Sequence, residues 1–504
     1  MKLIKETKSI CPECFTVIDA QIFQDEENRV MMKKTCPKHG YYEDTYWSDY
    51  DLYTKADKFA LVGTGLTNPR TKRTTKGCPF DCGICNGHKS HTALAIIDVT
   101  NRCNLRCPIC FANAQAAGYV YEPTTDEIKK IIDNFLSNKP VKPPGLQFSG
   151  GEPTLRDDLP ELVEYADKAG FRHIEINTNG IRIANSIDYC KRLLDAGANA
   201  IYLQFDGVTR DPYMVTRGVD LLATKLKVIE NCRKLDYDAV VLVPTIVKGV
   251  NDHQIGDIVK FAAANSDVIR CINFQPVSIT GRIDQKQRNE MRITIPDCMK
   301  IIEKQTEGQI KASDFYPVPF VVPMSQAIGS LKGHSYVEFT THQHCGMATY
   351  ILIKDNGKKM VPITKYGNIE KFMESMKKVN KAAKAGEKTK AKIAMLGALR
   401  YVKWGLLRKL ILGVLKTGSY KSLADVHYKM IMIGMMHFMD PYNFDLERIE
   451  RCTIHYGLPN GTIIPFCTMN SIHRPRIEKQ FSVPIKKYRG KLTKTVEVAP
   501  TTKA

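Results

Sequence analysis

The stretch Cys103-Asn-Leu-Arg-Cys107-Pro-Ile-Cys110 places three thiols at C-x3-C-x2-C spacing, directly after a β-like run, Leu94-Ala-Ile-Ile-Asp-Val-Thr100. Three close thiolates suit a [4Fe-4S] cluster, whose irons take cysteine sulfur. No fourth cysteine lies nearby, so one iron would stay open for a small ligand. About forty residues on, Gln147-Phe-Ser-Gly-Gly-Glu-Pro153 reads as a strand running into a glycine pair. Two glycines let the backbone approach a ligand closely, and the glutamate can hold an amine. A zinc knuckle is the alternative, but zinc prefers four closed ligands and paired C-x2-C spacing.

These two features, in this order, resemble the radical S-adenosylmethionine (SAM) superfamily. The resemblance implies that Cys103, Cys107 and Cys110 hold a cluster whose open iron chelates the methionine amine and carboxylate of SAM. Gly150, Gly151, Glu152 and Pro153 would bind its amino group. Reductive cleavage would then give a 5′-deoxyadenosyl radical that takes hydrogen from a substrate. One departure is Ile109, where the family usually has an aromatic residue; it alters packing around the cluster, not ligation.

A chain of 504 residues has room for two or three domains. Its 16 cysteines fall in short clustered spacings behind a polar start, Met1-Lys-Leu-Ile-Lys-Glu, so metal sites are expected and disulfides are not. No uncharged run reaches about 18 residues, which excludes a transmembrane helix from the expectation. The net charge of +20 implies an acidic partner: nucleic acid, anionic lipid or a phosphorylated substrate. A cytoplasmic protein, peripheral at the inner membrane face, is expected.

Residues 1–55 carry Cys11-Pro-Glu-Cys14 and then Cys36-Pro-Lys-His39, a strong signal for one tetrahedral metal, zinc or a rubredoxin-like iron. Residues 56–90 hold a second triplet, Cys78, Cys82 and Cys85, again C-x3-C-x2-C. It does not follow a strand as the family requires, so it reads as an auxiliary [4Fe-4S] site, with a zinc site as the alternative.

Between 91 and 310, short β-branched runs at 94–99, 145–149, 173–178, 200–205, 239–246 and 271–276 alternate with helical stretches such as Thr125–Leu136. Such alternation marks an α/β chain with a parallel sheet. Six βα units match the partial (βα)6 TIM-like barrel that the resemblance implies. Chemistry in barrels collects at strand C-termini. His173, Glu175 and Asn177 share one face by period two, as do Tyr202, Gln204 and Asp206. By resemblance, Asn177, Gln204 and Asp206 carry over as SAM contacts; Thr245 and Gln275 are weaker candidates. Cys190 and Cys232 read as ordinary core cysteines.

Residues 311–485 form a C-terminal extension, expected to be largely helical. Phe315–Pro323 reads as extended. Cys345, Cys452 and Cys467 are expected to hold a second auxiliary cluster, to complete the Cys78 cluster, or to be structural; a count of eight remaining thiols would also recruit Cys271 and Cys298. Seven lysines between 377 and 392 precede an apolar, cation-broken run, 393–415, readable as a membrane-surface helix or as a buried helix with snorkelling cations. Met430–Met439 has five methionines, an adaptable apolar wall or plain core. Residues 486–504 read as a disordered basic tail.

From Cys11 to Cys467 the arrangement resembles the archaeal tetraether lipid synthases, and also a nearby group of radical SAM methylases linked to pterin modification. The first implies carbon–carbon coupling of phytanyl chain ends of a diether phospholipid, with a membrane surface and an electron donor such as ferredoxin as partners. The second implies methylation of a pterin. A nucleic-acid binder with metal knuckles is the reading from another class, disfavoured because the lysines lack aromatic interleaving.

Overall fold

The structure, a computed structural model, describes residues 1–71, 76–114, 118–283, 285–403 and 430–488. Strands β1 (Lys2–Ile10), β2 (Val17–Gln24), β3 (Val30–Cys36) and β4 (Gly40–Trp47) form an antiparallel sheet in that order. Its metal-ligand turns lie at β1–β2 and β3–β4.

The large sheet has β5 (Leu94–Thr100), β7 (Gly145–Gly150), β8 (His173–Thr178), β9 (Ala200–Gln204), β10 (Val240–Val243) and β12 (Ile269–Pro276) as six parallel neighbours in chain order. β6 (Tyr119–Tyr121) pairs instead with β19 (Ser482–Pro484), and β11 (Thr245–Ile246) continues the fifth strand beside β12. The outward faces are apolar: Ile97, Val99, Leu146, Phe148, Ile174, Ile176, Ile201 and Leu203 are wholly buried. The helix Thr125–Leu136 shows why such segments form. Thr124 and Glu127 make a reciprocal capping box, and Ile128, Ile131, Ile132 and Phe135 fall on one buried face.

The C-terminal extension departs from the expected helical character. β13 (Tyr316–Pro317), β14 (Gly346–Lys354), β15 (Lys359–Pro362), β16 (Met430–Met436), β17 (Ile454–Gly457) and β18 (Ile463–Pro465) all join the barrel sheet. β16 pairs parallel with β12 at one edge, and β17 pairs parallel with β5 at the other. The methionine run is therefore a central strand with both faces packed; a short apolar run cannot be told from a helix by periodicity. Phe315–Pro323 is extended only at Tyr316–Pro317, then turns through a 3-10 segment into the helix Val322–Lys332. Pro323 stands in that helix's first turn, where its missing N–H costs nothing.

The lysine-rich stretch lies on the helices Ile369–Lys384 and Lys388–Ala398. With Val322–Lys332 they share a small core of Ala327, Phe372, Met376, Val379, Ala391 and Met395. Most of the 393–415 run lies outside the described residues, as do 489–504; the tail before them is held, with Tyr488 Oη donating to Glu122 at 2.6 Å. No helix among the described residues is long and apolar enough to cross a membrane.

The four-stranded sheet docks on residues 437–447. Arg292 bridges Asp44 (2.8 Å) and Asp440 (2.7 Å), all three buried. Lys34 Nζ donates to Pro441 O at 2.6 Å, and Trp47 Nε1 to His344 O at 3.3 Å.

Candidate functional site

The loop after β5 carries Cys103, Cys107 and Cys110 across the barrel mouth. Asn101 anchors its start by exchanging bonds with β6: Asn101 N to Tyr121 O (2.8 Å), and Tyr121 N to Asn101 Oδ1 (3.0 Å). Arg282, just past β12, clips its far side, donating to Cys107 O (3.0 Å) and Ala114 O (2.6 Å).

The glycine pair serves the chain itself. Gly151 N donates to Thr100 O at 2.7 Å and Glu152 N to Arg102 O at 2.8 Å. A Cβ on Gly151 would collide with the Arg102 carbonyl oxygen, and one on Gly150 with that of Thr100. The close approach expected for a ligand is thus made first to the base of the cysteine loop.

Glu152 is 1% exposed. Its Oε1 accepts from Thr154 N (3.1 Å), Thr154 Oγ1 (2.5 Å) and Thr178 Oγ1 (2.7 Å), and its Oε2 from Asn179 N (2.7 Å). Oε2 keeps one acceptor position. Burial lifts its carboxyl pKa above the ordinary value despite these donors. Pro153 starts the 3-10 turn that sets this geometry. Asn179 Nδ2 also donates to Asn104 Oδ1 at 2.7 Å, joining the β8 end to the cysteine loop.

Asp206 meets the site through an intermediary rather than directly. It is fully buried and accepts from Arg217 Nε (2.6 Å), Arg217 Nη2 (2.9 Å), Thr216 Oγ1 (3.0 Å) and Thr245 N (3.1 Å). Arg217 so held reaches the Cys107 thiol. Gln204 is half-buried, its Nε2 donating to Asp206 and its Oε1 accepting from Lys225 Nζ at 2.9 Å. Lys225 is wholly buried, also donates to Asn179 O at 2.5 Å, and is lowered to about 7 by burial. Asn177 Nδ2 donates to Ser149 Oγ at 3.2 Å. Arg217, Lys225 and Arg282 are site residues that no sequence motif marked. Arg282 alone had a signal, its place just beyond the sixth barrel strand.

Burial pushes the Cys103 and Cys107 thiols up, although Arg217 opposes this at Cys107. Thiolates are stable there only beside compensating positive charge, which an iron cluster provides. The N-terminal quartet differs in kind. Cys11 and Cys36 Sγ each lie 3.5 Å from His39 Nδ1, Cys14 Sγ lies 3.9 Å from Cys36 Sγ, and all four ligand atoms fall within 4.8 Å of one another. Those separations are the edges of a tetrahedron around one ion bound at about 2.0–2.3 Å.

The other six expected thiol ligands run together. Cys82 has Cys78, Cys85 and Cys452 as charge neighbours, and Cys467 has Cys452 and Cys345. Burial pushes the Cys452 thiol up to about 12. Arg448 Nε donates to Cys345 Sγ at 3.2 Å. Cys271 and Cys298, recruited only by counting, sit elsewhere: Cys271 in the barrel wall near Glu175, Cys298 on the buried helix Ile295–Gln305. Cys190 and Cys232 are buried side by side in the core.

A parallel half-barrel with a three-cysteine loop after its first strand and a Gly-Gly-Glu turn after its second defines a class, and family comparison agrees. Residues 97–262 match the radical SAM superfamily, residues 3–48 match the HMPTM N-terminal zinc ribbon domain, and the chain belongs to the radical SAM superfamily. It is an enzyme of that class, which implies a [4Fe-4S] cluster and SAM. More particularly, it is 48% identical over 500 residues to the 7,8-dihydro-6-hydroxymethylpterin dimethyltransferase of Methanocaldococcus jannaschii, covering 96% of this chain and 97% of the relative. It is 34% identical over 293 residues to molybdenum cofactor biosynthesis protein 1 of Dictyostelium discoideum, covering 56% of this chain and 43% of that protein. Among solved structures it resembles Streptococcus suis SuiB bound to S-adenosylmethionine, at 16% identity and TM-score 0.35 over 44% of this chain and 48% of that one, too loosely to carry an argument.

The full-length relative corrects the expected substrate and partners. It is named for a pterin, so the expected tetraether lipid synthesis, the diether phospholipid and the membrane surface are withdrawn, with the ferredoxin expectation that accompanied them. The lipid expectation leaned on the methionine run and on 393–415. The first is a packed strand, and the second lies largely outside the described residues.

Proposed function

We propose that this chain is a radical SAM methyltransferase acting on a reduced 6-hydroxymethylpterin. The observation that carries this is the 48% identity to the pterin dimethyltransferase over 96% of the chain. The barrel interior is in keeping with it: Gln147, Glu175, Asn177, Tyr202, Gln204, Asn273 and Gln275 give it a hydrogen-bonding lining.

Cys103, Cys107 and Cys110 would ligate the SAM-binding cluster, which when bound with SAM supplies a 5′-deoxyadenosyl radical for hydrogen abstraction; that SAM leaves as methionine, so the added carbon would come from a separate one-carbon donor such as a second SAM. The chain's own residues prepare the site. Glu152 Oε2 and the backbone of 150–153 offer acceptors to the SAM ammonium. Arg217, aimed by Asp206, offers a cation to the carboxylate, and Asn177 and Gln204 offer polar contacts at the strand ends. Cys78, Cys82, Cys85, Cys345, Cys452 and Cys467 would hold auxiliary iron–sulfur clusters, with Arg448 offsetting their negative charge. Cys11, Cys14, Cys36 and His39 would hold one zinc or iron ion.

The test is anaerobic. The protein is reconstituted with iron and sulfide, reduced chemically, and given SAM with 7,8-dihydro-6-hydroxymethylpterin. Mass spectrometry should find pterin-dependent 5′-deoxyadenosine and a pterin heavier by one or two CH2 units. Deoxyadenosine that ignores the pterin, or that answers to an archaeal diether lipid instead, would overturn the reading.

A further inference from the structure

Along the barrel strands, alternate side chains point inward, and the register sets them in rings. Gln147 neighbours Glu175, Asn177 neighbours Tyr202, and Val241 neighbours both Tyr202 and Cys271. One step higher on the far wall, Asn273 neighbours Gly434, and Gly434 neighbours Ala348. The wall from β7 to β9 is therefore polar, while β14 and β16 opposite contribute the small Ala348 and Gly434 above the larger Tyr350 and Met432. A hydrocarbon there would leave the spare acceptor positions of the Glu175 carboxylate without a donor, at about 1–3 kcal/mol.

Within this wall one group is unusual. Glu175 is 9% exposed, and among the described residues its one ion-pair partner is the half-exposed His173, Nε2 to Oε1 at 2.8 Å. Gln147 Nε2 donates to the other oxygen at 2.6 Å. The two donors fix the carboxylate plane and leave each oxygen a further acceptor position. A buried carboxylate with no lysine or arginine beside it and two open acceptor positions matches a ligand with two adjacent N–H donors. Nearby, Tyr202 Oη accepts from Asn273 Nδ2 and from Gln275 Nε2 (3.2 Å), a second fixed polar point on the same wall.

The pterin reading supplies a ligand with that edge. We propose that Glu175, braced by Gln147 and His173, is the specificity residue that binds the exocyclic 2-amino group and the adjacent ring N–H of the substrate's pyrimidine ring. This rests on the pterin reading and adds an orientation to it. Glu175 lies four residues before Asn179, whose backbone N–H holds Glu152. At a rise of about 3.3 Å per residue, it sits ~13 Å below the rim where SAM would bind. A bicyclic ring anchored at Glu175 would point its pyrazine end and 6-substituent up towards the Cys103 loop.

The test uses the cluster-replete protein with SAM, titrated anaerobically with 7,8-dihydro-6-hydroxymethylpterin and with its 2-oxo counterpart, which lacks the amino group. Binding is followed by pterin fluorescence. The unaltered enzyme should prefer the amino compound by about tenfold or more, and Glu175→Gln should weaken its binding about tenfold to a hundredfold. The variant should keep the SAM-induced change in the cluster's EPR signal, which a general structural failure would abolish. Equal affinity of the unaltered enzyme for both compounds would overturn the proposal whether or not the variant folds. Pterin binding unchanged in Glu175→Gln would overturn it while the pterin reading stands. No pterin binding by the unaltered enzyme would overturn both.

Discussion

Gly151 shows how a catalytic motif can first be a structural one. Its backbone and that of Glu152 lie against Thr100 and Arg102, so the cysteine loop and the glutamate turn form one unit. Gly151→Ala should force these segments apart and release the SAM-binding cluster. Reconstituted iron and 5′-deoxyadenosine formation should both fall severely, while the ribbon's metal stoichiometry stays unchanged; retention of full iron would contradict this account. The cysteines and the Gly-Gly-Glu stretch were legible because their ligand chemistry is written in consecutive residues. Arg217 and Lys225 were not, because their partners Asp206, Asn179 and Gln204 reach them only when neighbouring strand ends come together. Asp206 was legible as a strand-end acid but not as one already committed to an arginine.

At the scale of elements, the ribbon is held by charge as well as by packing. Burial pushes the Asp440 carboxyl up, but the Arg292 guanidinium beside it prevails and holds it below the usual carboxylate range. A carboxyl depressed on folding contributes stability that is present above its unfolded pKa of about 4 and is lost as pH falls through the folded value. Trp47, fully buried against His344, reports on this interface. In a Trp404→Phe background its emission should stay blue down to about pH 4 and shift red only below that. Arg292→Ala would leave the buried Asp440 without its cation and Asp44 with Arg288 alone at 3.3 Å, costing about 3–5 kcal/mol, and the red shift should then appear at neutral pH. Six barrel strands were legible from alternating runs and intervening helices. Strands β14, β16 and β17 were not: a seven-residue stretch such as Met430–Met436, apolar on both faces, has no period to betray a strand.

For the whole molecule, nine thiols remain beyond the ribbon's three and the buried Cys190, Cys232, Cys271 and Cys298, and they come from distant parts of the chain. Cys103, Cys107 and Cys110 come from one loop, whereas the other six come from segments beginning at Cys78 and ending at Cys467. Replacing Cys82 or Cys452 by serine should therefore separate two functions: SAM cleavage should survive with its own cluster, while product formation and several irons per chain are lost. Loss of cleavage together with methylation would count against separate sites. The overall charge of +20 pointed to acidic partners, yet not every cation faces outward. Arg292, Arg448, Arg217 and Arg474 are buried or nearly so, each facing carboxylates or a thiol. Their partners Asp44, Asp440, Asp206, Asp98 and Glu478 are buried with them, so these internal charges nearly cancel and do not account for the excess of +20.

The barrel's first and last strands each gain their outer neighbour from far downstream, β17 beside β5 and β16 beside β12. On the ribosome this fixes a timetable. All six βα units emerge with both sheet margins bare, and neither can be covered until residues 430–457 have left the exit tunnel. Unpaired margins rich in valine and isoleucine invite pairing between nascent chains. Slow translation through the lysine-rich stretch would prolong that exposure, and a chain released before residue 430 would aggregate with its Cys103 loop and Gly-Gly-Glu turn already made.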